Sequence, residues 1–132
     1  MDDWAQERLR DNVTIWLTTV SPERQPQSTP VWFLWDGSTF LVYSRPDTPK
    51  LANIASNPKV SVHLDGDAAG NDVVTFEGNA EVLRDQPPAD QVPAYAEKYR
   101  GPIGDYGWTP ESFAADYSVP IRITPTRDRI WE

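Results

Sequence analysis

Through much of Val13–Trp131, short runs of β-branched and aromatic residues are bounded by turn signals. Runs of this length with period-two alternation form strands, and turns this short join strands in an antiparallel sense. Val13–Val20, Pro26–Trp35, Thr39–Ser44, Lys59–Asp65, Asp72–Arg84 and Val119–Thr124 are the predicted strands. After a break at Pro125, Arg127–Trp131 extends the last of them. Asp36-Gly37 is a hairpin turn signal between the second and third. Pro30 interrupts the second strand, where a missing N–H requires an edge, a bulge or an opening of the sheet. Gly78 interrupts the fifth and points to a bulge or a close backbone approach. Antiparallel strands this short avoid open edges by closing on themselves, so the expected fold is a small α+β barrel of about six mainly antiparallel strands.

Helical signals are few. Thr48-Pro49 has the residue types of an N-cap and a first helical position, followed by Leu51, Ile54 and Ala55 on one face. Residues 85–100 carry a stripe of Val92, Tyr95, Ala96 and Tyr99, with Pro93 forcing a break or a late start. The segment 101–108, GPIGDYGW, reads as a loop, and Thr109-Pro110-Glu111 opens a short helix to about Asp116. Residues 1–11 form a polar N-terminal helix or arm. With 132 residues, no linker and no repeat, residues 1–132 are expected to form a single domain.

Composition removes several chemistries. There is no cysteine and only one histidine, His63, on the more polar face of its strand. Thiolate metal sites and cysteine nucleophiles are therefore excluded, and no Gly-x-Ser-x-Gly, GxGxxG or P-loop motif occurs. The carboxylates around Asp65–Asp72 lack the full calcium-loop pattern and read as an acidic turn, so no metal is expected. A net charge of −8 repels nucleic acid and anionic membranes. The polar N-terminus has no apolar signal-peptide region and no run is long enough to span a membrane, so a cytoplasmic setting is expected.

The stretch Tyr43–Asn57 stands apart. Lys50 falls in the first helical turn, facing the positive end of the helix dipole, where a cation is disfavoured by about 0.3–1 kcal/mol. An anion at that helix start would explain it, held by backbone N–H groups, Lys50, Arg45 and the hydroxyls of Ser44 and Thr48. A solvated lysine beside an ordinary cap accounts for the same residues. Trp32 and Phe33 follow Pro30, where an opened sheet could hold a flat ring; ordinary core packing also accounts for that pair. If both signals are functional, a flat group lies along Gln27–Phe33 with its phosphate at Ser44–Lys50. The bound group then carries the chemistry, as redox cofactors do.

The ordered segments LTTV, PQSTPVWFLWDG, FLVYSRPDTPK and KLANIASNPKVSVHLDGD resemble the flavin- and deazaflavin-dependent oxidoreductases of the split β-barrel fold, relatives of pyridoxamine-phosphate oxidase. The C-terminal WTPESFAADYSVPIRITPTRDRIWE resembles an actinobacterial branch that uses coenzyme F420. The similarity spans about residues 12–131. It implies a homodimer with two cofactor sites in the subunit groove and hydride transfer at the deazaflavin ring, with F420 as cofactor and FMN as the alternative. The substrate implied is a small conjugated or heterocyclic molecule. By the same resemblance, Ser44, Arg45 and Lys50 match the phosphate-binding segment, with Thr48 and Asn53 beside it. Gln27, Ser28, Thr29, Pro30, Val31 and Trp32 match the strand that faces the ring, and Trp108 or the Tyr106 loop caps the site, from this subunit or its partner. No catalytic residue is singled out. A non-catalytic protein that sequesters F420, a flavin or a tetrapyrrole, or a structural dimer with a vestigial site, has the same sequence features.

Overall fold

The computed structural model describes residues Met1–Glu132. Strands β1 (Thr14–Val20), β2 (Pro26–Trp32), β3 (Leu34–Trp35), β4 (Phe40–Ser44), β5 (Lys59–His63), β6 (Val73–Val82) and β7 (Val119–Trp131) form one sheet in the order β2-β1-β5-β6-β7-β4-β3. Every pairing is antiparallel. Helix α1 (Asp3–Asp11) precedes β1, α2 (Pro49–Ser56) follows β4, and α3 (Pro93–Asp105) and α4 (Pro110–Asp116) separate β6 from β7.

β2 and β3 lie at opposite ends of the sheet order yet are separated by a single residue, Phe33. The same run of chain pairs first with β1 and then with β4. The sheet must therefore curl until its ends meet, which makes a split barrel. Of the three alternatives at Pro30 the edge is the one found, and the break in the strand falls at Phe33. Pro30 sits within β2 opposite Trp16, and β2 is an edge strand of the sheet order, where proline is tolerated.

Phe33 leaves both ladders, and its buried backbone needs other partners. Its N–H donates to the Tyr99 hydroxyl at 2.7 Å. Its carbonyl accepts from the Lys98 ammonium at 2.8 Å. The Tyr99 hydroxyl has one proton to give and lies 2.6 Å from the Val13 carbonyl and 2.8 Å from that of Phe33. Since Lys98 serves Phe33, Tyr99 is free to serve Val13. Helix α3 thus ties the seam of the barrel.

Alternation sorts the strands into two cores. Ile15, Leu17, Phe33, Val42, Val62, Val74, Ile121 and Ile123 face the barrel interior and are almost fully buried. All five residues of β4 are buried because it is covered on both sides. Phe40 and Val42 face the barrel, while Leu41 and Tyr43 face a second cluster with Tyr95, Tyr99, Ile103 and Phe113 from α3 and α4. Residues 1–11 are not a free arm: Ala5 and Leu9 of α1 have no exposed surface and join the barrel core. Polar side chains dominate the other face and concealed that role. Gln6 also accepts from the Trp35 indole at 2.8 Å, and Arg8 donates to the Asp65 and Asp72 carbonyls.

Gly78 marks a bulge, as expected: the β6–β7 register shifts between Glu77 and Gly78. A Cβ there would sit 2.7 Å from the Thr124 carbonyl oxygen, closer than van der Waals contact allows. No helix is long and apolar enough to cross a membrane.

Candidate functional site

A cavity of about 400 Å³ opens where β2, the end of β4, α2 and the α3–α4 connection converge. Pro30, Val31 and Trp32 line it from β2, with Thr14 beside them at the start of β1. Tyr43 and Ser44 line it from β4, and Lys50 from the first turn of α2. Tyr106, Trp108, Phe113 and Tyr117 form the remaining wall. No carboxylate lines it, which is notable in a chain of net charge −8.

The anion end is built by β4 and α2. Thr48 occupies the N-cap position of α2 but makes no capping bond, and its hydroxyl lies 3.2 Å from that of Ser44. The Ser44 hydroxyl is buried and bonds the Arg45 carbonyl at 2.8 Å. Lys50 forms no salt bridge or side-chain hydrogen bond, and burial pulls its ammonium below the ordinary lysine range. A half-buried lysine without a partner beside an uncapped helix start suits an anion. Arg45 is fully exposed, with its guanidinium carbon 5.1 Å from the centroid of the Tyr117 ring at the cavity edge.

The ring end is aromatic. Trp32 stacks on Tyr99 with centroids 4.7 Å apart and planes 8° apart, and on Phe113 at 5.3 Å and 20°. Phe113 stacks on Tyr117 at 4.6 Å, and Tyr106 on Trp108 at 4.7 Å. Such a wall favours flat ligands, because offset stacking adds to simple area burial. Tyr43 donates its hydroxyl proton to the Pro87 carbonyl at 2.6 Å, and burial raises its pKa, so it is held as a neutral phenol.

Of the candidate residues, Pro30, Val31, Trp32, Ser44, Lys50 and Trp108 line one cavity. Arg45 and Thr48 border it. The others lie elsewhere. Asn53 is buried and donates to the Thr19 hydroxyl and the Gln27 amide oxygen, both at 2.9 Å. Gln27 and Asn53 therefore clip α2 to the barrel, and neither lines the cavity. Ser28 shares a 2.7 Å hydrogen bond with Thr18, and Thr29 is paired opposite Leu17. Tyr106 and Trp108 reach the cavity of their own chain. Phe113 and Tyr117 are additions, and their i, i+4 spacing after Thr109-Pro110 was the available signal. No group of three or more His, Asp or Glu side chains is gathered closely enough to hold a metal ion.

Lys98, at the barrel seam, is the other perturbed lysine. Its ammonium lies 3.8 Å from the Phe33 ring centroid. Burial pulls its pKa down from 10.5 to about 8, against a smaller opposing pull from Asp11. Below about pH 8 it is charged folded and unfolded alike, and the cost of burying the charge is present in full. Between about 8 and 10.5 the unfolded chain binds more protons, so this cost is progressively relieved as pH rises. The stability of the wild type minus that of Lys98→Met is expected to increase across this window, measured by urea unfolding at stepped pH. Taking the difference cancels the tyrosines that titrate in the same range.

Comparison with known proteins bears on the family and the fold. The sequence profile of the pyridoxamine 5'-phosphate oxidase family matches residues 1–132. Among solved structures, an F420 reductase is similar with a TM-score of 0.75 and 25% identity, covering 98% of each chain. A conserved hypothetical protein from Mycobacterium tuberculosis is similar with a TM-score of 0.78 and 26% identity, over 100% of this chain and 85% of the other. A haem storage protein from Vibrio cholerae shares the fold, with a TM-score of 0.69 and 16% identity over 98% and 94% of the two chains. No curated protein matches in sequence. A profile match over the whole chain, on a curled antiparallel barrel with an aromatic cavity at its seam, shows that this chain belongs to the pyridoxamine 5'-phosphate oxidase family.

Proposed function

We propose that the chain is an F420-dependent oxidoreductase acting on a small conjugated or heterocyclic substrate. The observation that carries this is the cavity itself: an unpaired lysine and an uncapped helix start at one end and an aromatic wall at the other. Such a site fits a phosphate-bearing flat ring system. The similarity to an F420 reductase favours the deazaflavin over FMN.

In this reading Lys50 holds the phosphate with its ammonium and its backbone N–H, with Ser44, Thr48 and Arg45 at its margin. β2 presents Pro30, Val31 and Trp32 to the ring, where the backbone can hydrogen-bond a pyrimidine edge and the indole excludes water. The bound deazaflavin supplies the hydride when present. The residues supply orientation and a dry surface. The reading includes a cytoplasmic homodimer. Sedimentation at micromolar concentration checks the dimer.

Titrating the purified protein with F420 and following the deazaflavin fluorescence tests the cofactor. Saturable binding below about 50 µM is expected. No binding in that range, with tight FMN binding instead, would replace the deazaflavin by a flavin on the same fold.

A further inference from the structure

Residues 101–108 were expected to form a loop, yet α3 continues through Gly101–Asp105. Burial of Ile103 in the second core holds this turn in place. Its intrinsic helix preference is poor. Gly101 and Gly104 occupy helical positions, where glycine is among the weakest helix formers. A Cβ at either would meet nothing within 4 Å, so packing does not demand glycine at these places. Pro102 lies inside the helix and has no N–H to return to the preceding turn.

Beyond Asp105 the chain is held by a few backbone bonds. The Gly107 N–H reaches the Gly104 carbonyl at 2.9 Å, and the Trp108 N–H reaches that of Ile103 at 3.1 Å. Gly107 has a φ of +73°, a conformation that frees the chain to turn sharply between its two neighbours. At Thr109 the path is fixed again by a reciprocal capping box with Ser112. Between these fixed points lie Tyr106, 66% exposed, and Trp108, stacked on each other and lining the cavity.

We propose that Gly104–Trp108 is a lid, and that its stacked Tyr106–Trp108 pair closes over planar aromatic anions and so sets the cavity's ligand selectivity. The proposal rests on the reading of the cavity as an anion-and-ring site and adds the element that selects the ring. Trp32 lies next to the pair at the same cavity, its centroid 6.3 Å from both Tyr106 and Trp108, with planes 46° and 53° apart. Movement of the pair about Gly104 and Gly107 changes the width of the slot between it and β2, which admits a flat ring more readily than a bulky one. Lys50 as the lining cation, with no carboxylate opposite it, favours an anion over an amine. Weak helix propensity keeps the open form accessible, and ligand contacts supply the differential energy for closure.

Hydrogen exchange on the free protein tests the lid without any ligand. Amides of Gly104–Trp108 are expected to exchange faster than those of Tyr95–Tyr99. The double variant Gly101→Ala/Gly104→Ala is expected to slow that exchange, raise Tm, and slow release of 2-naphthyl phosphate about fivefold in stopped flow. Trp108→Ala is expected to weaken 2-naphthyl phosphate about five- to tenfold while changing the affinity of the non-planar cyclohexyl phosphate less than about twofold. Exchange as slow in 104–108 as in 95–99, or a release rate unmoved by the alanines, overturns the lid. Equal losses for the two phosphates overturn the selectivity. If neither phosphate binds while exchange follows the expected pattern, the anion-and-ring reading of the cavity fails, and the selectivity with it, whereas the mobile segment stands.

Discussion

Tyr99→Phe is expected to destabilise the protein by about 2–4 kcal/mol, read as a lower urea midpoint at unchanged m-value. The ring would pack as before against Trp32 and Tyr95. What disappears is one oxygen that serves two backbone groups, the N–H of Phe33 and the carbonyl of Val13. A buried donor left without a partner costs the full desolvation of that group, about 1–3 kcal/mol, and here the loss falls at the point where the barrel changes partners. The Phe33 carbonyl keeps Lys98, so the variant should still fold. A cost below about 1 kcal/mol would mean that the seam is satisfied in some other way, such as by water.

Lys50→Ala is expected to weaken cofactor binding by about 1–3 kcal/mol, roughly 5- to 150-fold, through loss of a charge-assisted phosphate contact. F420 fluorescence titration at fixed ionic strength measures it. Thermal stability should move little, because Lys50 has no partner in the free protein. The opposite division is expected of Asn53, whose amide is spent on Thr19 and Gln27. Loss of stability with unchanged affinity in Lys50→Ala would reverse the assignment of these two neighbouring residues and move the anion site elsewhere.

Much of the barrel is legible in the sequence because each strand signal is local. Val60, Val62 and Leu64 alternate with Ser61 and His63, and the inward set is buried as expected. Gly78 announces its bulge because only a residue without a Cβ fits there. Phe33 is different: it looks like the middle of a strand, and nothing local says that its neighbours pair with β1 on one side and β4 on the other. Helix α3 was cut short at Gly101 for a related reason, since burial of Ile103 overrides the poor preference of GPIGD. At the site, Lys50 was conspicuous because its charge conflicts with its position on the helix. Asn53 looked equally suitable one turn later, but a polar side chain that binds a ligand and one that clips a helix to a strand have the same letters.

The position of β7 has a consequence for how this chain folds. It lies between β6 and β4, so Ile123 pairs with both Ala80 and Phe40, partners about 40 and 80 residues earlier. Until β7 is in place, β4 and β6 each present an unpaired edge, and everything from α1 to α4 is an open ribbon. Contacts that span such distances slow folding, because loop entropy must be lost before any contact energy is gained. On the ribosome the barrel cannot close until β7 has cleared the exit tunnel, so closure waits on the last-made strand of the sheet. During that interval the apolar faces of β4 and β6 are what a chaperone, or a second unfinished chain, would meet.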